Sequence, residues 1–389
     1  ILPRYFRLGL NCPVYCSKAT AQLLAIMLPD SGRLQEEEAE YRKRSGKSRH
    51  STPLALYTEK DSREALKLLR PVNFESPVEI APGITAAWTH MGHILGAAAI
   101  RLHAGGKVIN FSGDIGRYDV PILKDPQPVE FGDLLLIEST YGDRLHPETD
   151  PATRLEQVIN QTFERKGSVV IPSFAVGRAQ LILFYLRELK QAGRIPDIPV
   201  IVDSPMATDA SAIYSSSPQC YDQELLGFFN RGGKPFSFPG LAYTRSTQES
   251  KKLNSIDQPM VVISASGMVS GGRILHHLFH RISSPLNTIL FVGYQPPGGR
   301  GDWIQSGAKS LRLFGQEVPI RARIETISGL SAHADRDEML RWCRSSKGIP
   351  AKVALVHGEP ESVVAWGETL TRELGWSCQP ARYLETWEI

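Results

Sequence analysis

Histidines and carboxylates recur in this sequence just after short apolar runs, where they could bind a metal or move a proton. Asp114 follows VINFSG, Glu138 closes LLLIE and His357 follows KVALV. Ser173, Asp203 and Ser264 occupy the same place on the runs SVVIP, PVIV and PMVVI. In layered α/β sheets ligands bind at the carboxyl ends of strands, and burying so many polar groups without partners is costly. These strand ends are therefore expected to form one site. His93 stands between glycines in MGHILG, and His333 lies in LSAHADRDEML. Taken singly, the residues are ambiguous. A histidine placed like His93 serves equally as a satisfied structural group or a metal ligand. An aspartate at a glycine turn, like Asp114, is more often a turn former or helix cap.

The elements that must carry these residues read as alternating strands and helices. Strands are expected at VINFSGD (108–114), LLLIEST (134–140), SVVIPSF (168–174), PVIVDSP (199–205), PMVVISAS (259–266), NTILFVGY (287–294), ARIETIS (322–328) and KVALVHG (352–358). Continuous rather than alternating apolar character indicates burial on both faces. Helical periodicity fills 152–166, 176–193 and 274–282, which implies a layered α/β architecture. Residues 28–52 are highly charged, acidic then basic, and are expected to form a solvated helical excursion. Within them GKS at 46–48 resembles a phosphate loop, but Tyr41 stands where that motif requires glycine, so it is rejected. QPPGGRGD (295–302) is a loop, and no internal repeat or low-complexity tract is present.

A length of 389 residues suggests two domains. Hydrophobic and charged fractions of 42% and 22% are those of a soluble globular chain. No apolar run approaches the roughly 18 residues a membrane helix needs, and the first residues lack the pattern of a signal or transit peptide. The absence of an initial Met suggests that Ile1 is not the biological start. Net charge is +3 and the pI about 8.5, too mild to indicate nucleic-acid binding unaided. Cys12, Cys16, Cys220, Cys343 and Cys378 are odd in number and scattered. They read as structural or free thiols in a reducing cytoplasm.

In their order along the chain, GHILG, SGD, IEST, SAHAD and VHGE resemble the metallo-β-lactamase fold, specifically its β-CASP branch of nucleic-acid hydrolases. IPSFAVGRAQ (171–180), VDSPMA (202–207), ISASGMVSGGRILHHL (263–278) and VGYQPPGGRG (292–301) extend the resemblance over essentially the whole chain. It implies that His93 binds a first zinc, that Asp114 bridges two zincs and that His357 binds the second. It implies that Glu138 orients His333, which acts at the leaving oxygen or scissile phosphate, and that Ser266 and Arg273 bind phosphate. Arg178, in the first turn of a helix, fits a phosphate contact or a structural salt bridge equally well. His50, His90, His103, His276, His277 and His280 are expected to be structural or surface groups, and the role of His146 stays open.

The resemblance implies a four-layer αββα domain built from residues 1–146 and about 323–389. A β-CASP α/β domain, about 147–322, is inserted as a cap, with the active site in the cleft between them. The family signature H-x-H-x-D-H, which supplies two ligands to each zinc, is absent from these residues. This is read as truncation rather than loss, so two zincs are expected in the full-length protein and partial or no occupancy in this chain. A pair of zincs would hold a nucleophile and clamp an in-line displacement at phosphorus, and the resemblance implies that His333 would protonate the leaving oxygen. A histidine at the last motif accompanies RNA substrates in this family, so His357 implies a ribonuclease acting on single-stranded RNA. A cytoplasmic protein with no membrane partner is expected, and a homodimer is left open. An inactive RNA-binding scaffold and a small-molecule metallohydrolase are the alternatives.

Overall fold

In the computed structural model, residues 1–46, 52–147 and 149–389 are described; Lys47 and Ser48 of the rejected phosphate loop, and His50, lie outside the described residues. The first strands are β1 (Val14–Ser17) and β2 (Leu69–Val72), which pair parallel as a small sheet. Then come β3 (Val78–Ala81), β4 (Ile84–His90), β5 (Ala98–Ala104) and β6 (Lys107–Phe111), an antiparallel meander. Gly105 and Gly106 join β5 to β6 with φ of +58° and +77°. Two successive positive φ values are what a tight hairpin turn requires, and glycine adopts them without steric cost.

After β6 the chain crosses over to run parallel, in β7 (Leu134–Glu138). It then builds a second unit from β8 (Val169–Pro172), β9 (Val200–Asp203), β10 (Leu241–Tyr243), β11 (Val261–Ser264) and β12 (Thr288–Phe291). A hairpin of β13 (Ser310–Leu313) and β14 (Gln316–Pro319) precedes β15 (Arg323–Thr326). The chain ends through β16 (Lys352–Val356) and β17 (Cys378–Pro380). The two large sheets have the orders β17-β16-β7-β6-β5-β4-β3 and β10-β9-β11-β8-β12-β15. β15 pairs with β12 of the second sheet. The second sheet thus reaches past residue 322, where the insertion was expected to end, because β15 finds its partner in β12.

Every residue of β8, β9, β11 and β12 is buried, as their unbroken apolar runs require. The seven-stranded sheet is covered on one side by the helices Arg336–Ser345 and Pro360–Leu374, whose Trp342 and Trp366 are fully buried. On the other side Tyr15 and Val72, from β1 and β2, pack with Ala86 and Trp88 of β4. That small sheet is the described counterpart of the second β layer in the expected αββα sandwich. The long helix Lys18–Ser45 contains most of the charged stretch and ends at Gly46 in the left-handed conformation, a common helix stop. Its first turns are not solvated: Ala19 and Leu23 join the core of the inserted unit. All five cysteines are free, and no described helix is long and apolar enough to cross a membrane.

Candidate active site

Strand order brings the separate motifs together. β16, β7 and β6 are neighbours, and Val356 lies in register with Glu138. Asp114, Glu138 and His357 therefore emerge side by side at one sheet edge. His357 has φ +53°, a left-handed conformation uncommon for a residue with a side chain. Its carbonyl accepts hydrogen bonds from the Ser139 N–H and the Thr140 hydroxyl, both at 3.2 Å. A Cβ on the following Gly358 would lie 2.6 Å from the Ser139 carbonyl oxygen. The glycine thus lets the turn lie against β7.

His93 and His333 arrive through a crossing at Gly116. The Gly116 N–H donates to the Met91 carbonyl at 2.7 Å, Ala334 N–H donates to the Ile115 carbonyl at 2.8 Å, and Gly116 bridges His333. A Cβ on Gly116 would stand 2.3 Å from the Gly92 carbonyl carbon and 2.4 Å from the His93 nitrogen. The three segments meet there only because that position is bare. Their imidazoles consequently lie 4.3 Å apart, centroid to centroid.

The two oxygens of Asp114 face different histidines. Oδ2 is 3.6 Å from His93 Nε2 and Oδ1 is 3.6 Å from His357 Nε2. Those separations are too long for hydrogen bonds. They suit donors sharing an ion, because tetrahedral zinc ligands about 2.0–2.2 Å from the metal stand about 3.4 Å from one another. Burial, and then the charge of His333, push His93 down to about 4. It is neutral at pH 7, as a metal-binding imidazole must be. Its Nδ1 is buried without a hydrogen-bond partner. These donors fit a zinc site.

His333 is held differently. Its Nδ1 lies 3.0 Å from Glu138 Oε2, and Glu138, 1% exposed in its side chain, also accepts the Ile115 N–H through Oε1. Burial works against a charged His333, but the hydrogen bond and charge of Glu138 outweigh it and raise its pKa. A ligand atom of His333 lies within 4.8 Å of those of His93 and Asp114, so proximity alone does not separate a ligand from a proton donor. The orienting carboxylate does distinguish His333 from His357.

His146, left open by the sequence, has a definite place. Its Nε2 is 2.9 Å from the His333 carbonyl oxygen and its backbone N–H donates to Asp335 at 2.8 Å. A carbonyl only accepts, so Nε2 carries the proton, and burial keeps the ring below its ordinary pKa. His146, Asp335 and Glu338 also have ligand geometry. Asp335 and Glu338, however, form the capping box of the Arg336–Ser345 helix, and Glu338 accepts the backbone N–H of Tyr118 and Asp335. That cluster fixes the His333 loop from behind.

The expectation of a single site along all the strand ends is corrected. Ser173, Asp203 and Ser264 belong to the second sheet, in which Asp203 is wholly buried. Asp203 accepts from His277 Nε2 at 2.6 Å, Ser250 at 2.6 Å and Arg273 Nη1 at 2.7 Å, and from Thr244. Arg273 Nη2 donates to the Arg245 carbonyl at 2.7 Å. Each terminal nitrogen of Arg273 thus has a partner within the protein, and its side chain remains 21% exposed. Ser266 is half-buried and shares a 2.9 Å contact with Ser270. His277 is structural as expected, and so is His90, stacked on Phe74 at 3.5 Å and pushed down to about 4 by burial and then Lys124.

Burial opposes the Asp203 charge, but the donors around it outweigh burial and hold the carboxyl well below the usual range. Its stabilisation is therefore complete above the unfolded value of about 3.9 and is lost as pH falls through the lower folded value. Asp203→Asn is expected to lose about 3–5 kcal/mol at pH 7, since it leaves Arg273 without its buried partner. Urea midpoints of both proteins at pH 7 and near pH 3 check this: the gap should narrow in acid, and a constant gap contradicts it.

Arg178 lines a pocket with His93, Arg117, Ile122, Tyr214 and Ser331. Its Nη1 is buried with no partner, and burial pushes the guanidinium down to about 10. No salt bridge to Arg178 occurs among the described residues.

Residues 179–304 match the Beta-Casp domain, and residues 317–379 match the Zn-dependent metallo-hydrolase RNA specificity domain. A ribonuclease of Thermus thermophilus is 37% identical over 370 residues, which cover 95% of this chain and 80% of that protein. The chain belongs to the β-CASP ribonuclease family of metallo-β-lactamase hydrolases. As a β-CASP enzyme it is a metal-dependent nuclease, and its family fold inserts the unit carrying Asp203 and Arg178 into the metallo-β-lactamase domain. His333 and His357 both fall within the RNA specificity match. Among other β-CASP relatives, the transcription termination factor FttA of Methanocaldococcus jannaschii is 34% identical over 384 residues. That of Pyrococcus abyssi is 30% identical over 400. The alignments cover 95% and 99% of this chain but only 58% and 59% of those longer proteins.

Proposed function

We propose that the activity to which this chain contributes is hydrolysis of phosphodiester bonds of single-stranded RNA, with His93, Asp114 and His357 contributing to a two-zinc centre and His333 as the proton donor. The 389 residues by themselves, without the H-x-H-x-D-H ligands, are expected to be inactive. The observation that carries the reading is Asp114, with one oxygen 3.6 Å from His93 and the other 3.6 Å from His357. A carboxylate facing two imidazoles in this way suits a bridge between two ions. When bound, zinc supplies the activated nucleophile and the Lewis-acid stabilisation of phosphoryl charge. The protein's own work is orientation and proton transfer. Glu138 holds Nδ1 of His333 and favours the charged ring, so that the other nitrogen, Nε2, can deliver a proton to the departing 3′-oxygen. His146 anchors the His333 backbone. Arg178, with an unpartnered Nη1 beside His93, is suited to a backbone phosphate.

The test is cleavage of matched RNA and DNA single strands by this chain joined to a segment that supplies the family's H-x-H-x-D-H motif. RNA is expected to be cut well and DNA poorly, and equal rates overturn the substrate assignment. The 389 residues alone, with three of the expected ligands, should retain less than two zincs per chain after dialysis; two tightly held zincs overturn this ligand set.

A further inference from the structure

We propose that Phe174 and Arg178 form a nucleotide subsite beside the candidate active site. One RNA base stacks on the exposed part of the Phe174 ring, and the adjoining backbone phosphate is received by Arg178 Nη1. This rests on the RNA reading above and assigns a recognition element within it.

Phe174 follows β8 and is 41% exposed, an open aromatic. It is held firmly. A Cβ on Gly267 would lie 2.9 Å from the Phe174 nitrogen and 3.1 Å from its Cδ2, and one on Gly293 would lie 3.7 Å from Cε2. Two glycine backbones thus buttress one edge of the ring. Gln295, 8% exposed, joins those two loops by donating to the Gly267 carbonyl at 2.9 Å and to that of Gly293 at 3.3 Å. A ring fixed in this way offers a stacking face at little ordering cost, and every base has a π-face to match it.

The guanidinium completes the subsite. The same Gly293 Cβ position would be 3.3 Å from Arg178 Nη1. The bare Cα therefore keeps room between the ring and a buried cation that has no hydrogen-bond partner. An unpartnered buried donor is costly to keep, and an anion is the natural group to satisfy it. Arg178 also lines the pocket that contains His93. A phosphate bound there would lie along one strand leading to the candidate zinc ligands. A flat ring beside a cation, acting through stacking and charge, selects single strands without strong sequence preference.

The experiment is equilibrium binding of labelled oligouridylate to the full chain in EDTA, read by fluorescence anisotropy, so that cleavage plays no part. Phe174→Leu is expected to weaken binding roughly 5- to 100-fold, whereas Phe174→Trp keeps or tightens it. On an abasic ribose-phosphate strand of equal length, wild type and Phe174→Leu should bind alike. Arg178→Met is expected to lower the slope of log affinity against log salt by about one. Circular dichroism and melting temperature identify any variant that fails to fold, and Phe174→Trp then carries the test through tryptophan quenching by bound RNA. Equal oligouridylate affinities for wild type and Phe174→Leu overturn the subsite and leave the ribonuclease reading standing. No binding of RNA by the wild type overturns both.

Discussion

His333→Ala is expected to slow RNA cleavage by about 10²–10⁴, the range general acid catalysis contributes, while zinc content and RNA affinity stay at wild-type levels. The expectation follows from what holds the ring. Nδ1 is 3.0 Å from a buried carboxylate whose other oxygen is occupied by the Ile115 N–H, so the imidazole has one orientation and an elevated pKa. Glu138→Gln should behave like His333→Ala, because an amide can present the wrong hydrogen-bonding group to Nδ1 and no longer supports the charged ring. Single-turnover cleavage and metal analysis of both variants, in this chain joined to a segment that supplies the family's H-x-H-x-D-H motif, decide the matter. Loss of zinc from His333→Ala would place His333 among the ligands and reverse its role.

Asp114→Ala is expected to weaken zinc binding by at least about 10²-fold, the upper end of what losing a mere outer-shell partner costs, and cleavage should fall with it. Asp114 faces two histidines at once, so its removal affects both proposed ion positions. His357→Ala should lower zinc content less, since it removes a donor from one side only. Chelator competition on the three proteins gives the ranking. An Asp114→Ala protein that retains wild-type zinc affinity contradicts the bridging assignment, whatever its rate.

The Thermus thermophilus relative is named a ribonuclease and the archaeal relatives are named termination factors. The alignments cover nearly all of this chain, while the archaeal proteins extend well beyond it. The subsite around Phe174 lies just ahead of the Beta-Casp match, where β8 turns into the Arg178–Gln191 helix.

The sequence by itself determined the buried central strands and singled out the candidate residues, whereas strands such as β1–β4 and the β13–β14 hairpin emerged only in the structure. Unbroken apolar runs specify strands buried on both faces, and β8, β9, β11 and β12 are buried at every position. His93, Asp114, Glu138, His333 and His357 could be singled out because each sits in a short motif at a strand end or turn, but singly those motifs are ambiguous and the proposed roles rest on the family resemblance of the whole ordered set. Which strand lies beside which is a different matter. An apolar run reports that a strand is buried, not its neighbour, so Asp203 and Asp114 look equivalent in sequence although they end strands of different sheets. The same limit hid the pairing of β15 with β12. Arg273 shows the second limit. Its motif gave no sign that Asp203, 70 residues earlier in the chain, lies 2.7 Å from its guanidinium, and no spacing rule encodes that meeting. His146 on the His333 carbonyl, and Phe174 left open between two glycine loops, were likewise decided by tertiary structure. Hydrogen-bond partners and exposure depend on which segments packing brings together across the fold.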